Sequence, residues 1–284
     1  MIQRYGLAAC AAIIVGGLAT TAANAQFSEE SNTDSPPLKS GTIRNVPKQQ
    51  VDIDEAELGI VERTNKFRQQ HELEAVERQT ELDATAQDFA DFMAETNKYG
   101  HTADGRRPSE RASAHDYEYC IVLENIAYQF RSTGFETTEL AKKFTVGWEN
   151  SPGHRENMLD PGVTQTGVGL ARSDETGAYF AVQMFGRPKS MRIVFSVANQ
   201  SDSEVSYEVR PVNHPHGEAK PQSFPLPPRL IRTHERCRPS QLVISAGDAK
   251  RTLDAAEGTR YIISAVNDSE IELTTEPLTD QSVR

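Results

Sequence analysis

Residues 148–159 read WENSPGHRENML, and this stretch decides how the first half of the chain is interpreted. Ser151, Pro152 and Gly153 interrupt a helical pattern, and helix-favouring residues resume directly after His154. A histidine introduced by its own turn is held in a defined direction. We therefore expect His154 to face a substrate, a metal ion or a neighbouring backbone group, and the rest of the sequence narrows the choice.

Three amphipathic helices are predicted before this turn. Each segment has one apolar stripe, and packing in a core is the simplest explanation of such a stripe. The segments are EAELGIVERTNKFRQQ (55–70), with Leu58, Val61, Thr64 and Phe67 at intervals of three, ELDATAQDFADFMAETNKYG (81–100), ending before Gly100, and TTELAKKFTVGWEN (137–150).

The period changes from helical to alternating after the turn. TGVGLAR (166–172) and GAYFAVQMFG (177–186) predict a β-hairpin with glycines in its first strand. Further alternating segments predict a small β-sandwich or a similar all-β module. They are RIVFSVAN (192–199), EVSYEVRP (204–211), QLVISA (241–246), RYIISAV (260–266) and EIELTT (270–275). The sequence thus predicts an α+β fold with a mixed domain over 51–188 and a β-rich module over 189–284.

The first 25 residues have the layout of a cleavable export signal. Arg4 precedes an apolar run from Leu7 to Leu18, and small residues lead to a predicted cleavage near Ala25. Cys10 follows Leu-Ala-Ala, as in a lipoprotein box, but it precedes most of the apolar run, so we do not expect lipidation there. The protein is therefore expected to be exported, to the periplasm, the cell envelope or the extracellular space.

The sequence predicts a linker directly after the signal and no membrane span in the rest of the chain. Residues 26–50 are polar and contain three prolines, which is typical of disorder. No later stretch reaches ~18 consecutive apolar residues.

The formal net charge is -11, and such an acidic chain is a poor partner for nucleic acid. Removal of the signal leaves Cys120 and Cys237, which an oxidising compartment would join as a disulfide.

Two of the seven histidines stand at the ends of predicted helices. His101 follows the Tyr-Gly that ends the second helix, and His154 follows the turn after the third. Between them, VLENIAY (122–128) places Glu124 among apolar residues, where a carboxylate needs a partner because burial of an unpaired charge is costly. A histidine would satisfy it. We expect the other histidines to be surface or loop residues; they are His71, His115, His214, His216 and His234. His234 is of slightly more interest because it lies close to Cys237 in the sequence.

Seven blocks of this sequence resemble the CAP superfamily, also called the SCP domain, which comprises cysteine-rich secretory, antigen 5 and pathogenesis-related 1 proteins. The blocks are TNKFRQQ, ELDATAQDFADFMAE, GHT, ENIAY, Trp148 with SPGHRENML, TGVGLA and YFAVQMFG. Their order covers roughly 53–188 and is most similar to the short bacterial branch. The resemblance implies an α-β-α sandwich.

The resemblance also implies a cleft lined by two histidines and two acids, in which some members bind a divalent metal. His101, Glu124 and His154 match three of these positions, and the fourth falls on Ser151. A mechanism that needs two carboxylates is therefore not supported. We expect the trio to bind zinc or another divalent metal weakly, since two neutral imidazoles and one carboxylate form a reasonable zinc site with an open position.

Three functions remain open at this level. We rank a binding or envelope-associated module first, with a metal, lipid, peptide or cell-envelope polymer in the cleft. A structural His/Glu network follows, and a metal-assisted or histidine-based hydrolase of peptides or esters ranks third. Ser151 is the only hydroxyl near the motif, and the sequence contains neither Gly-x-Ser-x-Gly nor His-Glu-x-x-His.

A basic, proline-rich segment interrupts the acidic β module. FPLPPRLIRTHERCRP (224–239) carries four prolines and four arginines. Prolines on an edge strand block further pairing, and this is the simpler interpretation. The alternative is a basic contact surface for an anionic wall polymer or for the acidic first domain.

Overall fold

The computed structural model describes residues 51–212, 220–246, 248–266 and 270–278. The predicted signal peptide and linker, His214 and His216 lie outside these residues. Within them the helices are α1 (Ile53–Gln69), α2 (Thr80–Thr96), α3 (Pro108–Ala114), α4 (Thr137–Glu149) and α5 (Pro152–Met158). The strands are β1 (Glu77–Arg78), β2 (Tyr119–Gln129), β3 (Gln165–Arg172), β4 (Tyr179–Pro188), β5 (Ile193–Asn199), β6 (Val205–Pro211), β7 (Gln222–Leu226), β8 (Ile231–Arg236), β9 (Ser240–Ala246), β10 (Ala249–Asp254), β11 (Thr259–Val266) and β12 (Ile271–Pro277).

The first part of the chain is an α-β-α sandwich, as the sequence predicted. Its sheet has the order β1-β3-β4-β2. Successive residues of β4 point to opposite faces, so Phe180 packs in the core under α2 and α3, whereas Ala181 packs in the core under α1 and α4. The predicted hairpin is confirmed, because β3 and β4 pair antiparallel from Gln165↔Gly186 to Arg172↔Tyr179.

The predicted buried stripe of α1 was wrong at Leu58, which is 52% exposed. The helix does bury the predicted Thr64 and Phe67, and with them it buries Ala56 and Ile60. A strict interval of three drifts around an α-helix, which turns about 100° per residue, so Leu58 lies half a turn away from Phe67. The second helix also ends earlier than predicted, at Thr96, because Asn97 takes a left-handed conformation with φ 52°.

The β-rich part is a sandwich of two four-stranded sheets, β10-β9-β6-β7 and β12-β11-β5-β8, around one hydrophobic core. The five predicted strands are confirmed as β5, β6, β9, β11 and β12. The sequence predicted one edge strand in the basic, proline-rich segment, where the structure has two, β7 and β8, and it did not predict β10. Strands β7 and β8, which include parts of the basic, proline-rich segment, are edge strands of the two sheets, and Pro225 lies on β7 opposite Ser206.

The sandwich and the β module contact each other through a covalent bond and an ion pair. Cys120 on β2 and Cys237 after β8 form the predicted disulfide, with Cα atoms 5.3 Å apart. Arg238 donates to the carboxylate of Asp160, which is fully buried. One of the four arginines in the basic segment therefore contacts the acidic first domain. None of the described helices has the length and apolar character needed to cross a membrane.

Candidate functional site

The candidate site lies at the free edge of strand β2. This strand is last in the order of its sheet and pairs only with β4. Glu124 and Asn125 are adjacent and have no solvent exposure, and consecutive strand residues point to opposite faces of a sheet. Each of them holds one of the two candidate histidines, so the histidines approach the same edge from the two helical layers.

His101 is held from the face on which α2 and α3 pack. It lies in the connection between these helices, and its Nδ1 is 2.7 Å from Oε1 of Glu124. The other carboxylate oxygen accepts a 2.6 Å hydrogen bond from Nη2 of Arg111. A carboxylate oxygen in this contact accepts, so in the neutral form of His101 the proton lies on Nδ1 and the lone pair on Nε2. Nε2 is thus the nitrogen that a ligand would meet.

His154 is held from the opposite face, through its backbone. Ser151 is the N-cap of α5, and Pro152 and Gly153 form the first turn of that helix. The side-chain amide of Asn125 donates to the carbonyl of His154 at 3.1 Å. The turn noted in the sequence therefore starts a short helix whose third residue is fixed against β2.

A second asparagine completes the attachment of α5. The amide of Asn157 donates to Oδ1 of Asn125 at 2.9 Å and to the carbonyl of Glu124 at 3.1 Å. The carbonyl of Ile126 accepts from the hydroxyl of Tyr99 at 3.1 Å and from the indole of Trp148 at 3.2 Å. These donors occupy carbonyls on the open edge of β2, which would otherwise be available for pairing with another strand.

The two imidazole rings lie close to each other. The ring centroids of His101 and His154 are 6.4 Å apart and the rings are inclined by 52°. Burial, and secondarily the neighbouring His101, lowers the pKa of His154 to about 4. His154 is therefore neutral at physiological pH and has a nitrogen lone pair available.

Glu124 contacts His101 but is not placed to share a ligand with both histidines. It is fully buried, and each of its oxygens already accepts a hydrogen bond. Among the residues that the structure describes, no group of three or more His, Cys, Asp or Glu side chains could hold a metal ion. The site thus offers an ion two imidazole nitrogens, with Glu124 behind one of them.

The spacing of the imidazoles is slightly larger than a bound zinc ion requires. With Zn–N bonds of about 2.0–2.1 Å at a tetrahedral angle, the ring centroids would be roughly 5 Å apart. The observed separation of 6.4 Å is therefore too wide by about 1 Å, which a small rotation of one ring would close. The pair fits a metal held by two protein ligands, with the remaining positions open.

The described contacts do not join Ser151 to His101 or Glu124, and the other described histidines have partners elsewhere. Ser151 makes no side-chain capping bond at the start of α5. His71 contacts Arg155 at 2.9 Å, and His115 contacts Asp88 at 3.0 Å. His234 is buried in the β module, where its Nε2 lies 2.6 Å from the hydroxyl of Tyr207.

Sequence reasoning missed Arg111, Asn125 and Asn157. The two asparagines were inside the motifs ENIAY and SPGHRENML, and a polar residue next to a predicted buried glutamate was an available signal. Arg111 lies in the polar segment GRRPSERASAH (105–115), where one arginine among three has no distinguishing pattern. Only the contacts in the folded chain identify it.

Comparison with known proteins gives a family match to the first part of the chain. Residues 61–185 match the model of the CAP family, described as the cysteine-rich secretory protein family. The uncharacterized protein YkwD of Bacillus subtilis is 29% identical over 150 residues, which are 52% of this chain and 53% of that protein. The chain thus spans about half the length of this relative.

Solved structures with a similar fold include two bacterial surface or extracellular proteins. An outer surface protein of Borrelia burgdorferi is 20% identical, with a TM-score of 0.43, and the match covers 50% of this chain and 98% of that protein. An extracellular SCP-domain protein of Bacillus anthracis is 26% identical, with a TM-score of 0.40, and the match covers 48% of this chain and 41% of that protein.

Proposed function

We propose that the region matching the CAP family, residues 61–185, holds in its cleft a binding site for a divalent transition metal, zinc in the first instance. His101 and His154 would hold the ion, and Glu124 would orient His101. The bound ion would offer open positions to an oxygen or nitrogen of an external ligand. The protein is then a binding module that recognises its ligand at a metal-bearing cleft.

The pair of imidazoles carries this proposal. Nδ1 of His101 is taken by Glu124, which leaves Nε2 with its lone pair, and a metal-ligating histidine characteristically donates its other N–H to a carboxylate or carbonyl. The depressed pKa of His154, about 4, reduces competition from protons at that ligand. Two such nitrogens around a shared space are a ligand set for a transition metal.

The expected affinity is modest. The described residues supply two protein ligands, Ser151 adds no charge, and the rings must approach by about 1 Å to reach tetrahedral spacing. A three-ligand set that includes Glu124 would require this carboxylate to leave His101 or Arg111, both within 2.7 Å. Breaking a buried charge pair is costly, and this favours the two-histidine site.

The same features favour binding over hydrolysis. A general base is most effective when its pKa is near the working pH, and a pKa of about 4 makes His154 a weak base. Ser151 makes no side-chain capping hydrogen bond at α5, and the described contacts give it no histidine partner of the kind that activates a serine.

Calorimetry with zinc tests the proposal. We expect a saturable heat for the wild type at pH 7 and its loss in His101→Ala/His154→Ala. The matched control is His71→Ala/His115→Ala, which removes two histidines outside the cleft and should bind zinc as the wild type does. Circular dichroism confirms that each variant is folded. Equal heats from all three proteins would refute a metal in the cleft and leave the histidines as structural groups.

We further propose that the protein acts after export, with a lipid, a peptide or a cell-envelope polymer as its partner. The predicted signal layout of residues 1–25 and the Cys120–Cys237 disulfide support this. Mass analysis of the protein from a fractionated culture provides the test. An exported chain that begins at Gln26 agrees with the proposal, whereas an uncleaved chain confined to the cytoplasm contradicts it.

A further inference from the structure

Arg111 lies beneath the cleft and binds four acceptors with its two terminal nitrogens. Nη1 donates to Oδ1 of Asp104 and to the carbonyl of Arg106, both at 2.8 Å. Nη2 donates to the carbonyl of His101 at 2.9 Å and to Oε2 of Glu124 at 2.6 Å. The side chain is only 3% exposed. Arg111 therefore contacts His101 directly at the backbone and indirectly through Glu124.

The guanidinium is fixed in its plane by the surrounding structure. Its central carbon lies 3.5 Å from the centroid of the Phe89 ring on α2, a stacking contact that favours one orientation of the group. The remaining N–H, on Nε, has no hydrogen-bond partner among the described residues. Arg111 thus satisfies four acceptors and leaves one buried donor unpaired. The position of its guanidinium is therefore set by those four acceptors.

We infer that Arg111 is a positioning residue that sets the orientation and tautomer of His101. It gives the buried Glu124 a fixed, charged partner, and the carboxylate in turn requires a proton on Nδ1 of His101. Nε2 then has the lone pair and faces away from the carboxylate. The direct bond to the His101 carbonyl fixes the backbone from which that ring extends.

A lysine could not replace this arrangement. The ammonium group of lysine carries its three donors on a single nitrogen. It cannot reach four acceptors that are divided between the two terminal nitrogens of a guanidinium group. Lysine would keep a positive charge near Glu124 but release part of the contact with the connection between α2 and α3. Methionine would remove both the charge and the donors.

The inference concerns a residue of the proposed metal site, and its relevance to metal binding rests on that proposal. The test of the positioning role needs no metal. Long-range ¹H–¹⁵N NMR on metal-free protein at pH 7.5 reports which nitrogen of His101 carries the proton. We expect the Nδ1–H tautomer to predominate in the wild type. The ratio of Nδ1–H to Nε2–H should fall about tenfold or more in Arg111→Met, as expected for the loss of a hydrogen bond to a charged group, and by less in Arg111→Lys.

Arg68→Met is the matched control. Arg68 is also buried, but it donates to the backbone carbonyls of Glu74, Met158 and Asp160 rather than to Glu124. This variant should lose stability and keep the His101 tautomer of the wild type. If Arg111→Met does not fold, Arg111→Lys decides the matter, since any fall in the Nδ1–H population supports the inference. An unchanged ratio in the folded Arg111 variants would overturn it.

Zinc calorimetry on the same samples separates the two proposals. If the wild type binds no zinc but its tautomer depends on Arg111, the metal site fails and the positioning role stands. If the wild type binds zinc and the tautomer is the same in every Arg111 variant, the positioning role fails and the metal site stands.

Discussion

Replacing Gly169 with alanine tests the close approach of α2 to the sheet. A Cβ atom at this position would lie 2.3 Å from the backbone nitrogen and 2.4 Å from the Cα of Gln87. Real Cβ atoms essentially never come within 3.0 Å of another heavy atom, and the obstacle is helix backbone, which cannot rotate away. The helix or the strand must therefore move by about 1 Å, because protein interiors have no spare volume.

The cost should be at the upper end of the range for an overpacked core. Such substitutions typically cost about 1–3 kcal/mol, and α2 carries much of its own core, including Leu82, Phe89 and Met93. Since 1 kcal/mol corresponds to roughly 2–4 °C for a protein of this size, Gly169→Ala should lower the melting temperature by about 6–12 °C.

Gly147→Ala is the matched control for this experiment. Gly147 is inside α4, and a Cβ there would meet no atom within 4 Å. Alanine in a helix interior is favoured over glycine by about 0.5–1 kcal/mol, so this variant should melt slightly higher than the wild type. Thermal unfolding followed by circular dichroism compares the two. A Gly169→Ala protein that melts within 2 °C of Gly147→Ala would refute the packing argument.

Three further predictions concern stability. Replacement of Cys120 and Cys237 by alanine removes a cross-link with a sequence separation of 117. In the chain-entropy model this lowers the free energy of unfolding by up to about 5 kcal/mol, so the melting temperature should fall. An unchanged melting temperature would mean that this cross-link contributes nothing. Burial lowers the pKa of His234 to about 3 from its usual 6.5, so the unfolded chain binds the proton first, and this histidine by itself should lower the free energy of unfolding by about 2–3 kcal/mol between pH 7 and pH 4.5, in addition to the contribution of other buried groups such as His154. Urea titrations at both pH values should show a smaller fall for His234→Gln, and an equal fall would assign the effect to other groups. Finally, a chain that starts at Val51 should melt within a few degrees of one that starts at Gln26, because residues 26–50 offer little apolar area to bury, and a large loss would show that they pack on a domain.

Local patterns predicted the helices and strands with strong hydrophobic periodicity. Strands with weak hydrophobic periodicity were missed, for reasons that the structure shows. Strand β8 alternates Arg232, His234 and Arg236 on its inward side, so its polar sequence does not resemble that of a buried strand. Phe224 on β7 lies under both arginines, with guanidinium carbons 5.3 and 5.9 Å from its ring centroid. Cation–π contacts of this kind replace aliphatic packing and leave no hydrophobic pattern to detect.

The sequence predicted the candidate residues of the cleft through its resemblance to the CAP superfamily. Local patterns marked His101 and His154 at the ends of helices and Glu124 among apolar residues, but their spacing alone did not show that the three meet. The pairing of Cys120 with Cys237 was also predicted from the sequence, since these are the two cysteines that lie beyond the predicted signal peptide.

Only the tertiary structure decided what each of these groups does. It placed Glu124 behind His101 instead of between the histidines, and it showed that Arg111 holds both residues. These contacts join residues 10 to 23 positions apart on different elements, and hydrogen-bond direction at a buried carboxylate has no signature in local periodicity. The physical reason is that a sequence pattern reports which face a side chain takes, whereas its partners depend on how the elements pack against each other.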